Sequence, residues 1–122
     1  MTDQLDNVRP LHPDAQDPFD YDGQLVIGAH ALTNEAGITY RQLDYWTRCG
    51  YLTPVHKPTP GSGHPRIYPL DQVDLAREMG RLIAAGIVTT PMSLVHEVAI
   101  ELLDTGRAQV GDFTITPRQE TA

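Results

Sequence analysis

The chain has 122 residues, the size of one ordinary domain, with 40% hydrophobic and 20% charged side chains, so any second folded unit would have to be very small. No apolar run approaches a membrane span, and Asp3, Asp6, Asp14, Asp17 and Asp20 fill the stretch where a secretion signal would be basic and then apolar. A single cysteine, Cys49, permits no intramolecular disulfide, and histidines 12, 30, 56, 64 and 96 lack ligand spacing, which together point to a reducing, cytoplasmic setting with no metal or other cofactor.

The formal charge of -7 argues against a polyanionic partner only if it is spread evenly. It is not. Residues 1–22 hold six acids and Arg9, and 69–122 hold eight acids and four arginines, whereas 37–68 hold Arg41, Arg48, Lys57 and Arg66 against Asp44, a central +3.

In chain order, residues 1–22 are rich in Asp and Pro and too poor in apolar side chains to offset the entropy of ordering, so a disordered acidic arm is expected there. A domain is expected over 23–106, followed by a strand and tail over 107–122. Gln24–Ile27 has strand character and leads into a short helix, Ala31 to Gly37, with Leu32 and Ala36 on one face and glycine as the stop. Thr39 stands where an N-cap belongs, and Tyr40 to Cys49 continues at helical spacing until Gly50. Leu43 and Trp46, flanked by Tyr40 and Cys49, form its candidate buried stripe, which turns Arg41, Asp44, Tyr45 and Arg48 outward. Helix, three-residue turn and second helix make a helix-turn-helix.

Residues 51–56 have strand character, with Pro54 confining them to an edge. Gly61-Ser-Gly supplies a turn, and His64-Pro-Arg-Ile-Tyr returns as a second strand, giving a hairpin wing with His64, Arg66 and Tyr68 on one face. Helical spacing resumes over Pro69–Ala85 and again from a Thr90 cap and Pro91 to Gly106. Val110–Thr116 reads as a terminal strand that could pair with Leu25–Ile27. The fold class is therefore mainly α with a small β hairpin: a winged helix-turn-helix of four helices plus a short C-terminal strand.

The run Gly37-Ile-Thr-Tyr-Arg-Gln-Leu-Asp-Tyr-Trp-Thr-Arg-Cys-Gly-Tyr-Leu52, followed by Gly61-Ser-Gly and Arg66-Ile-Tyr68, resembles the winged DNA-binding domain of MerR-family regulators over about residues 29–100. It is closest to the actinobacterial variety reading Thr-Tyr-Arg-Gln-Leu-Asp-Tyr-Trp. More familiar members carry arginine at the position of Asp44, and their long coiled-coil helix and effector domain are expected to be missing here.

Several residues are candidates for DNA contact. Arg41, near the start of the second helix, is placed for the major groove, where a guanidinium takes both guanine O6 and N7. Thr39 and Tyr40 stand at the mouth of that helix, Thr39 doubling as its cap. The resemblance implies a phosphate bond from the Tyr45 hydroxyl. Arg48 is a phosphate contact or the partner of Asp44 four residues earlier, and Asp44 itself would be repelled by DNA unless it pairs with an arginine or accepts from a cytosine amino group. In the wing, Arg66 is the candidate for minor groove or flanking backbone, with Lys57 and His64 adding charge.

No catalytic set emerges: Asp71 with Asp74 and Glu97 with Glu101 have helix-surface spacing, Ser62 and Ser93 lack a base, and Gly61-Ser-Gly lacks a phosphate-loop lysine, so the chain is not expected to be an enzyme. The function expected is a sequence-specific, double-stranded DNA-binding transcription regulator. Its apolar surplus over residues 91–116 would make a homodimer, and RNA polymerase or another DNA-bound protein is a further candidate partner; no membrane is involved. Two alternatives are an excisionase or recombination directionality factor of a phage or mobile element, and a protein-interaction module that has lost DNA.

Overall fold

The computed structural model describes residues 18–55 and 66–117. The chain opens with a hairpin of β1 (Phe19–Tyr21) and β2 (Gln24–Gly28), Tyr21 facing Gln24 across Asp22-Gly23. Both turn residues have positive φ, 54° and 82°, the conformation that a two-residue turn needs to match the twist of its strands. The sheet thus reaches back to Phe19, into the stretch expected to be a disordered arm. Acidic composition hid a two-residue turn signal, and the rest of that arm lies outside the described residues.

Gly28 leads directly into α1 (Ala29–Ala36), which ends on Gly37 in the left-handed region at φ 75°, its N–H bonded to the Thr33 carbonyl. From the third helix, Arg77 donates to the Glu35 carbonyl at 3.1 Å, occupying one of the carbonyls that the end of α1 leaves free. After a three-residue turn comes α2 (Tyr40–Arg48). A third strand, β3 (Ile67–Pro69), pairs antiparallel with β2, Ile27 facing Tyr68, to give the order β1-β2-β3.

The expected strand over 51–56 does not form in its described part. Pro54 has no N–H to give, and Thr53 N–H donates to the Gln72 side chain at 2.9 Å. One ladder-like bond remains, from Val55 N–H to the Ile67 carbonyl at 2.8 Å, at the base of the wing. Residues 56–65, the expected wing tip with Lys57 and His64, lie outside the described residues.

Helices α3 (Asp71–Ala84) and α4 (Met92–Thr105) pack on one another, and α3 also packs on α1. The N-cap of α4 is Pro91, with no side-chain cap bond, rather than Thr90. The chain then forms a second hairpin, β4 (Ala108–Val110) and β5 (Phe113–Ile115), turning at Gly111-Asp112. The terminal strand expected beside Leu25–Ile27 is therefore part of its own two-stranded sheet, since β2 already has a partner on each edge.

One core joins these elements: Ile27, Leu32, Leu43, Trp46, Leu52, Tyr68, Met79 and Val95 are all nearly or fully buried. Leu43 and Trp46 commit one face of α2 to that core. α3 passes close to Ile38, where a Cβ added at Gly80 would stand 2.8 Å from Ile38 Cγ2.

Candidate nucleic-acid interface

The face of α2 opposite Leu43 and Trp46 carries Arg41, Tyr45 and Arg48 exposed to solvent. Its start is fixed by a capping box. Gln42 N–H donates to Thr39 Oγ1 at 3.0 Å, and Thr39 N–H donates to Gln42 Oε1 at 2.9 Å, so two of the donors that a helix start leaves open are satisfied. Thr39 is thus the cap anticipated from the sequence. Tyr40, expected to flank the buried stripe, is instead half-exposed and stacks on His30 of α1, with ring centroids 5.1 Å apart and planes 20° from parallel. Cys49, the other flank, is also exposed. Four side chains thus crown one end and one face of α2: Tyr40, Arg41, Tyr45 and Arg48.

Asp44 lies among them and is doubly paired. Its Oδ2 is 3.0 Å from Nη2 of Arg48 and accepts from Nε at 3.1 Å, while its Oδ1 is 3.0 Å from Nη1 of Arg66. The Arg48 pair is the helical i,i+4 contact read from the sequence; the Arg66 pair joins α2 to the residue just before β3. Nη1 of Arg66 is buried and makes no aligned hydrogen bond, so its hold on Asp44 is that of an ion pair at close range.

A second polar chain runs beneath. The Thr47 hydroxyl donates its one proton to the Leu43 carbonyl at 2.7 Å, so in its 2.8 Å contact with Tyr68 the Tyr68 hydroxyl is the donor. The Arg66 guanidinium lies close enough to the Tyr68 oxygen for the two to interact electrostatically. Burial pushes the Tyr68 phenol above its usual range, against the Arg66 charge, which favours the phenolate. For Arg66, burial opposes the charge, but Tyr68 and Asp44 outweigh it and the pKa lies above the ordinary guanidinium value. Tyr45 is also raised, chiefly by the neighbouring Cys49 side chain.

Of the eight candidate residues, the structure brings Tyr40, Arg41, Tyr45 and Arg48 to one surface and Thr39 to its edge, and draws Arg66 inward against Tyr68 and Asp44 with 22% of its side chain exposed. Lys57 and His64 lie outside the described residues. Sequence reasoning missed His30, whose stack on Tyr40 was not visible from spacing, and the Thr47–Tyr68 bond. The Gln42 half of the capping box had a signal, Thr-x-x-Gln.

A capped helix with a basic, aromatic outer face, braced on a wing strand, defines a helix-turn-helix of the DNA-binding kind. The profile of the MerR HTH family regulatory protein matches residues 29–89, α1 through the end of α3, and the chain belongs to that family. Uncharacterized HTH-type transcriptional regulators of Mycobacterium bovis and of two Mycobacterium tuberculosis strains are each 42% identical to it over 52 residues, covering 43% of this chain and 23% of the relative. The alignment thus spans under a quarter of each of these relatives' length. No solved structure matches. Among the described residues, no helix is long and apolar enough to cross a membrane.

Proposed function

We propose that the chain is a sequence-specific, double-stranded DNA-binding regulator of transcription, with α2 in the major groove and the wing on the flanking backbone or minor groove. The observation that carries this reading is the two-faced α2. Leu43 and Trp46 hold it in the core while Arg41, Tyr45 and Arg48 are exposed on the other side. Arg41, in the first turn, is assigned to a base edge, where bidentate bonds to guanine are the commonest specific contact. Tyr45 and Arg48 are assigned to phosphate, and Tyr40 and Thr39 to the backbone at the helix mouth.

A module of this size makes few phosphate contacts, so a homodimer on an inverted repeat is the expected assembly. Ile100 and Leu103, each a little under half exposed, and Phe113, three-quarters exposed, are large apolar side chains within residues 91–116 that support that part of the reading.

A band-shift series with genomic fragments across a salt titration tests the proposal. The parent should bind with affinity that falls as salt rises, and Arg41→Ala, whose side chain is outside the core, should bind more weakly. Equal, feeble binding by both at every salt concentration would remove the DNA reading.

A further inference from the structure

We propose that Asp44 is a positioning residue for DNA binding: by pairing with Arg48 and Arg66 together it holds both guanidinium groups ready for the nucleic acid, so its negative charge strengthens binding. The inference rests on the DNA reading above and goes beyond it, because a carboxylate on the DNA-facing side of a helix would on charge alone be expected to weaken binding to a polyanion.

The geometry supports a brace. Each carboxylate oxygen serves one arginine, Oδ1 for Arg66 and Oδ2 for Arg48, both at 3.0 Å. Arg48 turns its Nε–Nη2 edge to Asp44, and its planar guanidinium then points the Nη1 end away; the side chain stays 65% exposed. Arg66 is paired with Asp44 on α2, and two residues further on the Tyr68 hydroxyl of β3 is tied to Thr47 of α2. The base of the wing and the outer face of α2 are thereby one unit. A long side chain already fixed by a partner loses less rotamer freedom when it meets a phosphate, and the pair of arginines keeps a net positive charge after Asp44 is counted.

Asparagine at this position is a sharp probe. Both oxygens of Asp44 face a guanidinium, so an Asn must turn its NH2 group toward one arginine, donor against donor. Binding of a fluorescein-labelled duplex of random sequence, followed by anisotropy across a salt titration, reads the phosphate contacts without knowledge of the operator. Asp44→Asn should bind about three- to tenfold more weakly than the parent at low salt, with a log-log salt slope shallower by about 0.9 for a lost phosphate contact. In an Arg48→Gln background, where the exposed arginine is already gone, the same substitution should cost much less; a purely structural role would not produce that dependence. Thermal unfolding of the DNA-free variants checks that the fold is kept, and Arg48→Gln alone, which leaves the Asp44–Arg66 pair in place, provides the comparison if Asp44→Asn unfolds early. A folded Asp44→Asn protein that binds as tightly as the parent or more tightly overturns the inference and leaves the DNA reading standing. A parent that does not bind at low salt overturns both.

Discussion

The Tyr68 hydroxyl, on the strand that returns from the wing, donates to the Thr47 hydroxyl on α2 across 2.8 Å. The contact is part-buried, and Tyr68 itself is fully buried, so the bond is made where water would not replace it. Removing the phenolic oxygen leaves Thr47 without a donor. Tyr68→Phe should therefore lower stability by about 1 kcal/mol, which for a domain of this size moves the thermal midpoint down by roughly 4–8 °C. An unchanged midpoint would contradict the network.

The same phenol gives a pH signature. Its pKa is raised above the model-compound value of 10.0, chiefly by burial, so the fold favours the neutral form. The stability this contributes is fully present below pH 10 and is lost as pH rises through the higher folded value. A phenolate absorbance titration of the parent should show a late step above the ordinary tyrosine range, shared between Tyr68 and Tyr45, and Tyr68→Phe should shrink it. A late step of undiminished size would place the perturbed phenol elsewhere.

Gly80 lies within α3, where alanine would ordinarily favour the helix by about 1 kcal/mol. Here the added Cβ would meet Ile38 Cγ2 at 2.8 Å, a branch close to the backbone that cannot swing aside. Overpacking of this kind costs about 1–3 kcal/mol, so Gly80→Ala is expected to be destabilised on balance. Urea denaturation would show it as a lower midpoint at unchanged slope; a higher midpoint would contradict the close approach.

Thr39 has a structural and a proposed binding role that substitutions can separate. Thr39→Ala removes the oxygen that caps α2 and should cost about 1 kcal/mol of stability, whereas Thr39→Ser keeps that oxygen and most of the stability. If Thr39→Ser also keeps DNA affinity, the hydroxyl suffices for both roles. Equal stability of Thr39→Ala and the parent would show that the capping box contributes nothing.

The exposed apolar side chains of the C-terminal third bear on assembly. Leu103→Asp and Phe113→Asp alter surface positions, so both proteins should stay folded while sedimenting as smaller species than the parent. A parent that sediments as a monomer at high concentration would remove the homodimer from the account.

Much of the helical framework was legible because it is local. Glycine stops at 37 and 106, a threonine cap and the i,i+3/i+4 spacing of Leu43 and Trp46 specify helices through contacts within a turn or two. The Asp44–Arg48 pair was legible for the same reason. Strands at 24–27, within 64–68 and within 110–116 were legible too, but their pairing was not, since it depends on partners chosen over long distances: Ile67 and Tyr68 pair with β2, some forty residues earlier, rather than with the proline-interrupted stretch at 51–55. Asp22-Gly23 carried a hairpin signal that its acidic surroundings concealed. The inward turn of Arg66 was equally hidden, because Asp44 lies on another element and only the folded chain brings the two together.

The central claim, that α2 reads DNA sequence through Arg41, is tested most directly by selecting bound duplexes from a genomic library with the parent and with Arg41→Ala in parallel. The account predicts that the parent enriches one sequence, in an inverted repeat if the homodimer forms, and that Arg41→Ala loses preference at a defined base pair while retaining salt-dependent binding. Enrichment of the same sequence to the same extent by both proteins, or of none by the parent, would contradict it.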